Sequence, residues 1–144
     1  MNSESTIGTD DRPLRIAIAG GGTGGHVSPG VAVLEELRSR IVVVPLWIGS
    51  RRGYEYDTAQ RLNIPFKAVQ VGKLRRYPSI KTLIDATRIP IGIAQAWWHL
   101  RAFKPDLLFA TGGYVSSPAV IAASRLLVPS MTHEQTAHIG LATK

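Results

Sequence analysis

Three stretches hold the side chains that could do chemistry: Gly20-Gly21-Gly22-Thr23-Gly24-Gly25-His26, Thr111-Gly112-Gly113-Tyr114-Val115-Ser116-Ser117-Pro118 and Met131-Thr132-His133-Glu134-Gln135-Thr136. The first is a glycine loop that runs straight into an amphipathic pattern, so backbone N–H groups and the positive end of a helix dipole face outward together. That combination suits an anionic oxygen, usually a phosphate. Gly20-x-Gly22-x-x-Gly25 also satisfies the dinucleotide fingerprint, which by itself is unspecific. His26 places an imidazole at the helix start, able to accept a proton or simply to cap or pack the turn. In the second stretch, Gly112 and Gly113 form either another phosphate cradle or a plain tight turn. Tyr114 there either contacts a ligand or covers the loop. In the third, His133 stands beside Glu134 as a strand ends. Adjacent strand residues point to opposite faces, so the two meet one ligand only past the strand's end.

These stretches need elements to position them. Arg15–Ala19 reads as a short buried parallel strand. Val31, Leu34 and Leu37 then recur at helical spacing, with Ser28-Pro29 as the start signal and Pro29 near the first helical position. Val42–Ile48 predicts a second strand, at an edge or irregular because of Pro45. Tyr54–Leu62 predicts a helix, Phe66–Val71 a short strand, and Ser79–Phe103 a helix that Pro90 and Gly92 should end or kink. Asp106–Ala110, Ala119–Leu127 and Ser130–His133 read as strand, helix and strand. The alternation predicts an α/β fold, a doubly wound, mostly parallel, Rossmann-like sheet. Ligands of such sheets bind beyond the carboxyl ends of the strands, where all three stretches lie. A dinucleotide domain wants an acid at the end of its second strand. Here that position reads Gly49-Ser50-Arg51-Arg52, and arginines suit a 2′-phosphate, which keeps an NADP-binding domain open as an alternative.

Composition narrows the classes. With 144 residues and 44% apolar content, the chain is one globular domain with a real core. No run approaches the roughly 20 apolar residues of a membrane-spanning helix. Residues 1–13 are polar and acidic, read as a disordered tail and lack the apolar core of a secretion signal. The lack of cysteine excludes a disulfide framework and a Cys metal site and leaves a cytosolic location as the default. The net charge of +7 is concentrated in Lys67–Lys104, which holds eight basic residues and one acid, Asp85. There Leu74, Tyr77, Ile80, Leu83 and Ile84 interleave with Lys73, Arg75, Arg76 and Lys81, and Ile91, Ile93, Trp97 and Trp98 follow. Apolar groups with a basic rim suit an anionic membrane surface. Nucleic acid is disfavoured, because no binding motif accompanies the charge. A helix on a sheet must bury one face, so Ile84, Ile91 and Trp98 are expected to divide between core and surface. The 71–79 loop is expected to be the membrane tip.

GGGTGGHVSPGVAVLEEL, GSRRGYE, VGKLRRYPS, KPDLLFATGGYVSSPAVIAA and PSMTHEQTAHIGLATK resemble, in order, the N-terminal half of the MurG glycosyltransferases of family 28. The resemblance runs from about Leu14 to Lys144. It implies the N-terminal domain of a two-domain, GT-B type, inverting transferase of peptidoglycan synthesis. Such an enzyme moves N-acetylglucosamine from UDP-N-acetylglucosamine (UDP-GlcNAc) to the undecaprenyl-pyrophosphoryl-MurNAc-pentapeptide called lipid I, and needs no metal or cofactor. It works peripherally at the cytoplasmic, anionic face of the bacterial cell membrane.

The implied roles fall on particular positions. His26 matches the candidate base. Thr23, Gly24 and Gly25 match residues that reach the donor, as would Thr136, where the family usually has Asn. Threonine keeps a hydroxyl but loses the amide's paired donor and acceptor. Gly22, Gly112, Gly113, Tyr114, His133 and Glu134 match positions on the acceptor and diphosphate side. Leu74, Arg75, Arg76, Tyr77, Ile80 and Lys81 would meet the membrane. The donor domain has no counterpart in this sequence, so transfer is expected only with that half supplied in cis or in trans. A non-catalytic membrane-binding module is the remaining alternative.

Overall fold

β1 (Leu14–Ala19) is the middle strand of a five-stranded, wholly parallel sheet in the computed structural model, which describes residues 7–72 and 80–134. The order is β3-β2-β1-β4-β5, with β2 at Val43–Gly49, β3 at Phe66–Ala68, β4 at Leu107–Ala110 and β5 at Ser130–Thr132. The intervening helices are α1 (Gly24–Arg40), α2 (Tyr54–Arg61), α3 (Ile80–Phe103) and α4 (Ser117–Arg125). This is the doubly wound α/β architecture the alternation predicts.

The strands alternate between two cores. Ile16, Ile18, Trp47 and Phe109 face α1 and α2, packing with Val27, Leu34, Ala59 and Ile64. Ala17, Ala19, Leu46, Ile48 and Leu108 face α3 and α4, packing with Ala96, Leu100, Ala119, Ala122 and Ala123. Because both faces are covered, β1 is apolar and buried from Ile16 to Ala19 rather than alternating. Ile16 and Ile18 are fully buried, each side chain contributing about 1.5–3 kcal/mol.

Local chemistry differs from the sequence reading at several points. The helix of the first unit begins at Gly24, so Pro29 lies in its second turn and not at its first position. The glycines themselves bend into the helix, and Thr23 ends the extended backbone at φ −141°. β2 lies inside the sheet despite Pro45. Trp47 donates its N–H toward β3, to the Pro65 carbonyl at 2.8 Å, and backbone direction repeats every second residue. The N–H that Pro45 lacks would therefore face the same side, where β3 begins only opposite Trp47. Proline sits at the one stretch of β2 without a neighbour on that side.

α3 does not end at Pro90 or Gly92. Pro90 is exposed, and so is Ala86, whose carbonyl loses its helical partner to the proline and can bond water instead. Gly92 is a contact point: a Cβ there would stand 1.9 Å from the Gln70 carbonyl oxygen, so glycine lets the helix lie directly on the chain that leaves β3. Residues 7–13 of the expected tail make contacts with the domain. Gly8 accepts the Val42 N–H at 3.0 Å, and Arg12 pairs with Asp106 at 3.2 Å. Asp106 also accepts the Arg15 N–H at 2.9 Å, which ties this turn to the start of β1.

Candidate active site

β1 is the point where the winding reverses, since α1 leads to β2 on one side and α3 brings the chain back to β4 on the other. The loops leaving β1 and β4 therefore lie next to each other at the carboxyl edge, where ligands of such sheets bind. The main chain joins them: Thr111 donates its N–H to Ala19 at 2.9 Å, and His133, just past β5, donates to Ala110 at 2.8 Å. The described residues of all three stretches singled out in the sequence thus meet at one edge.

His26, in the first turn of α1, is the side chain that spans the two loops. Its Nδ1 lies 3.1 Å from the Thr111 carbonyl oxygen. A carbonyl only accepts, so a neutral imidazole here carries its proton on Nδ1 and leaves Nε2 as a proton acceptor. Gly112 and Gly113 both have positive φ, at 92° and 78°. Both press on the ring: a Cβ at Gly112 would be 3.2 Å from Nδ1, and one at Gly113 would be 3.2 Å from Cδ2 and 2.8 Å from the Gly21 carbonyl. The second loop is therefore glycine-rich because it passes against His26 as well as because it turns. Thr111 is buried, with a hydroxyl that has no hydrogen-bond partner among the described residues, and its side chain fills the space beside Gly20.

The other expected residues gather around this pair to different degrees. Tyr114 covers the first loop, its ring edge 3.3 Å from where a Gly22 Cβ would be. Thr23 is the N-cap of α1, but its exposed side chain makes no capping bond. Gly24 lies under the ring of Tyr54, and Gly25 is exposed. His133 is exposed with its carbonyl toward Gly112, and Glu134 is half-buried beside it. Thr136 lies outside the described residues, as do Leu74, Arg75, Arg76 and Tyr77.

Glu55 is the site residue the sequence reading missed. The residues that directly follow the second strand are Ser50, Arg51 and Arg52, and both arginines are exposed. The acid comes one turn later, in the first turn of α2, and it points inward. Fully buried, Glu55 accepts the Gly22 N–H at 3.0 Å through Oε2 and the Ser50 N–H at 2.9 Å through Oε1. Gly21, Gly49 and Gly53 surround it, and a Cβ on Gly21 or Gly53 would fall 2.0–2.6 Å from its carboxyl atoms. Trp47 adds a second prop, donating Nε1–H to the Gly20 carbonyl at 3.1 Å. The available signal was an acid in a helix's first turn, favoured by the dipole, with glycines on three sides.

The basic apolar segment lies along α3. Ile80, Leu83, Ile84, Ile91 and Trp98 are all exposed, from 49% to 81%. The expected division of Ile84, Ile91 and Trp98 between core and surface is therefore not found. Gly92, Ala96 and Leu100 take the buried face instead, while 84, 91 and 98 recur every seven residues along an outer stripe. Lys81 and Arg88 are exposed on the same half of the helix. No helix among the described residues is long and apolar enough to cross a membrane.

Residues 16–144 match the glycosyltransferase family 28 N-terminal domain. The chain is 40% identical, over 129 residues, to the UDP-N-acetylglucosamine–N-acetylmuramyl-(pentapeptide) pyrophosphoryl-undecaprenol N-acetylglucosamine transferase of Treponema pallidum, covering 90% of this chain and 34% of that protein. It is 42% identical to the enzyme of the same name from Borreliella burgdorferi, over 90% of this chain and 36% of that protein. The crystal structure of MurG from Acinetobacter baumannii superposes with a TM-score of 0.73 at 28% identity, over 90% of this chain and 36% of that one. The chain spans about a third of the length of these relatives.

Proposed function

We propose, from the premise that this chain belongs to the glycosyltransferase family 28 N-terminal domains, that it is the acceptor-binding part of an N-acetylglucosaminyltransferase that converts lipid I to lipid II in peptidoglycan synthesis. One observation carries the reading. His26 is held between the two glycine loops with Nδ1 committed to the Thr111 carbonyl, which leaves Nε2 available as a base at the carboxyl edge of the sheet.

In this reading Nε2 takes the proton from the C4 hydroxyl of the acceptor's MurNAc as that oxygen attacks the anomeric carbon of UDP-GlcNAc. The bond from that carbon to the UDP oxygen breaks, UDP leaves with the electron pair, and the configuration inverts. Gly112 and Gly113 meet the acceptor's diphosphate, and Tyr114, His133 and Glu134 border it. Thr23, Gly24 and Gly25 face the donor, most of which is bound by a second domain in the same polypeptide or in a partner. The exposed stripe of α3, with Lys81 and Arg88, docks on the anionic inner leaflet, where each Lys or Arg near the surface contributes about 1 kcal/mol.

The test is binding of this chain to anionic vesicles with and without lipid I. Lipid I should tighten binding, and His26→Ala or Gly113→Val should remove only that increment. Equal binding to bare vesicles defeats the reading. A clear NADPH titration with no response to lipid would replace it with the dinucleotide alternative.

A further inference from the structure

The first glycine loop already holds an anion of its own. Glu55 is completely buried, and a buried carboxylate is tolerable only when its oxygens are hydrogen-bonded. Its two backbone partners come from different loops, Gly22 after β1 and Ser50 after β2, so one side chain ties the two together. Gly22 is also the turning point of the first loop, at φ 86°. Thr23 follows as the N-cap, its carbonyl accepting the His26 N–H at 3.1 Å. The chain of contact from carboxylate to Gly22 to Thr23 to His26 is four residues long and has no slack side chain in it.

We propose that Glu55 is a positioning residue of this site. Its carboxylate serves as a built-in anion that fixes the first glycine loop, and through it the setting of His26, and leaves the second loop to meet the acceptor's phosphates. The Gly22 N–H, which the sequence pattern offers to a phosphate, is already taken. An incoming phosphate at Gly22 would compete for an N–H already bonded and would face the like charge of Glu55, which is unfavourable. The clause about the acceptor rests on the transferase reading; the internal anion does not.

Glu55→Gln is the informative variant, because it keeps the volume and one acceptor and sets an N–H₂ against one of the two amide donors. A purely space-filling role would survive it. In amide hydrogen exchange followed by NMR, Gly22 should exchange about tenfold faster or more in Glu55→Gln, with Ile16–Ile18 unchanged. The ¹⁵N signature of His26 should also lose its Nδ1–H tautomer preference. Gly22 exchange and the tautomer both within about twofold of wild type would overturn the proposal. Inorganic pyrophosphate titrated into the wild-type chain gives a second arm that needs no variant to fold. The Gly113 amide should shift and Gly22 should not; equal shifts at Gly22 overturn the proposal. Failure of the transferase reading would appear instead as vesicle binding indifferent to lipid I, with the Glu55→Gln results intact.

Discussion

Between Gly20 and Gly22 the chain rests on two side chains, Trp47 Nε1–H on the Gly20 carbonyl and the Glu55 carboxylate on the Gly22 N–H. Between Thr111 and Gly113 it rests on main chain, on a serine hydroxyl and on His26: Thr111 N–H on Ala19, the Ser116 hydroxyl on the Gly113 carbonyl at 2.8 Å, and Nδ1 on the Thr111 carbonyl. Two loops of similar composition therefore do different work. The first is preset from below by a buried carboxylate, and the second is shaped around the imidazole. Glycine serves the first by leaving room for Glu55 at Gly21 and the second by leaving room for His26 at Gly112 and Gly113.

The sharpest way to break this contrast is at His26, where the loops meet. If the proposed transferase reading holds and a donor half is supplied, His26→Gln should lower kcat by about 10²–10⁴, the range for loss of a general base. Its unfolding midpoint should stay close to wild type. A kcat within a few-fold of wild type would remove His26 from the chemistry.

Next come the glycines. Gly113→Val meets the Gly21 carbonyl at 2.8 Å and keeps a positive φ, so it should destabilise by about 2–4 kcal/mol in denaturant unfolding. Gly22→Ala also has positive φ, but its nearest neighbour is the edge of the Tyr114 ring at 3.3 Å, and about 1–2 kcal/mol is expected. Equal costs would mean that the positive φ both positions share sets the cost, and that packing on Gly21 and His26 does not separate the loops.

Away from the loops, Trp98→Ser should weaken partition onto anionic vesicles several-fold. Its stability should stay within about 0.5 kcal/mol of wild type, because the side chain is 67% exposed. A loss of stability larger than the loss of binding would place Trp98 in the fold and not on the membrane.

The smallest effect concerns His99, on the sheet side of α3. Burial, and then the Lys67 charge, hold its pKa below 6.5 against a backbone hydrogen bond with Ala68. A lowered histidine pKa means the folded state binds fewer protons, so this contribution is present above pH 6.5 and declines as pH falls below it. His99→Gln should flatten that part of the acid-side decline in a series of unfolding curves. An unchanged slope below pH 6.5 would show that other groups set it.

Much of the site was legible because its chemistry is local. A strand, five glycines and a helix start can be read from residues 14–37 alone, and the Gly112-Gly113 loop repeats the pattern. Pro29, Pro45 and Pro90 misled because a proline's cost depends on which carbonyl or strand lies opposite it. Pro45 loses nothing where β3 is too short to reach, and Pro90 loses a bond on the side that water covers. Gly92 read as a breaker because a close approach to Gln70 is invisible along the chain. The stripe of α3 faces outward because Gly92, Ala96 and Leu100 occupy the face against the sheet and α4, and small residues let the helix lie close.

What the sequence determined by itself was the α/β winding, the placing of three chemical stretches at strand ends, and the family, since periodicity and short motifs are carried by neighbours in the chain. What only the tertiary structure decided was which side chains hold those stretches. Glu55 lies 33 residues from the Gly22 it supports, and His26 lies 85 from the Thr111 carbonyl that sets its tautomer. Hydrogen bonds over such separations are specified by the order of strands in the sheet, which brings β2 and β4 to either side of β1.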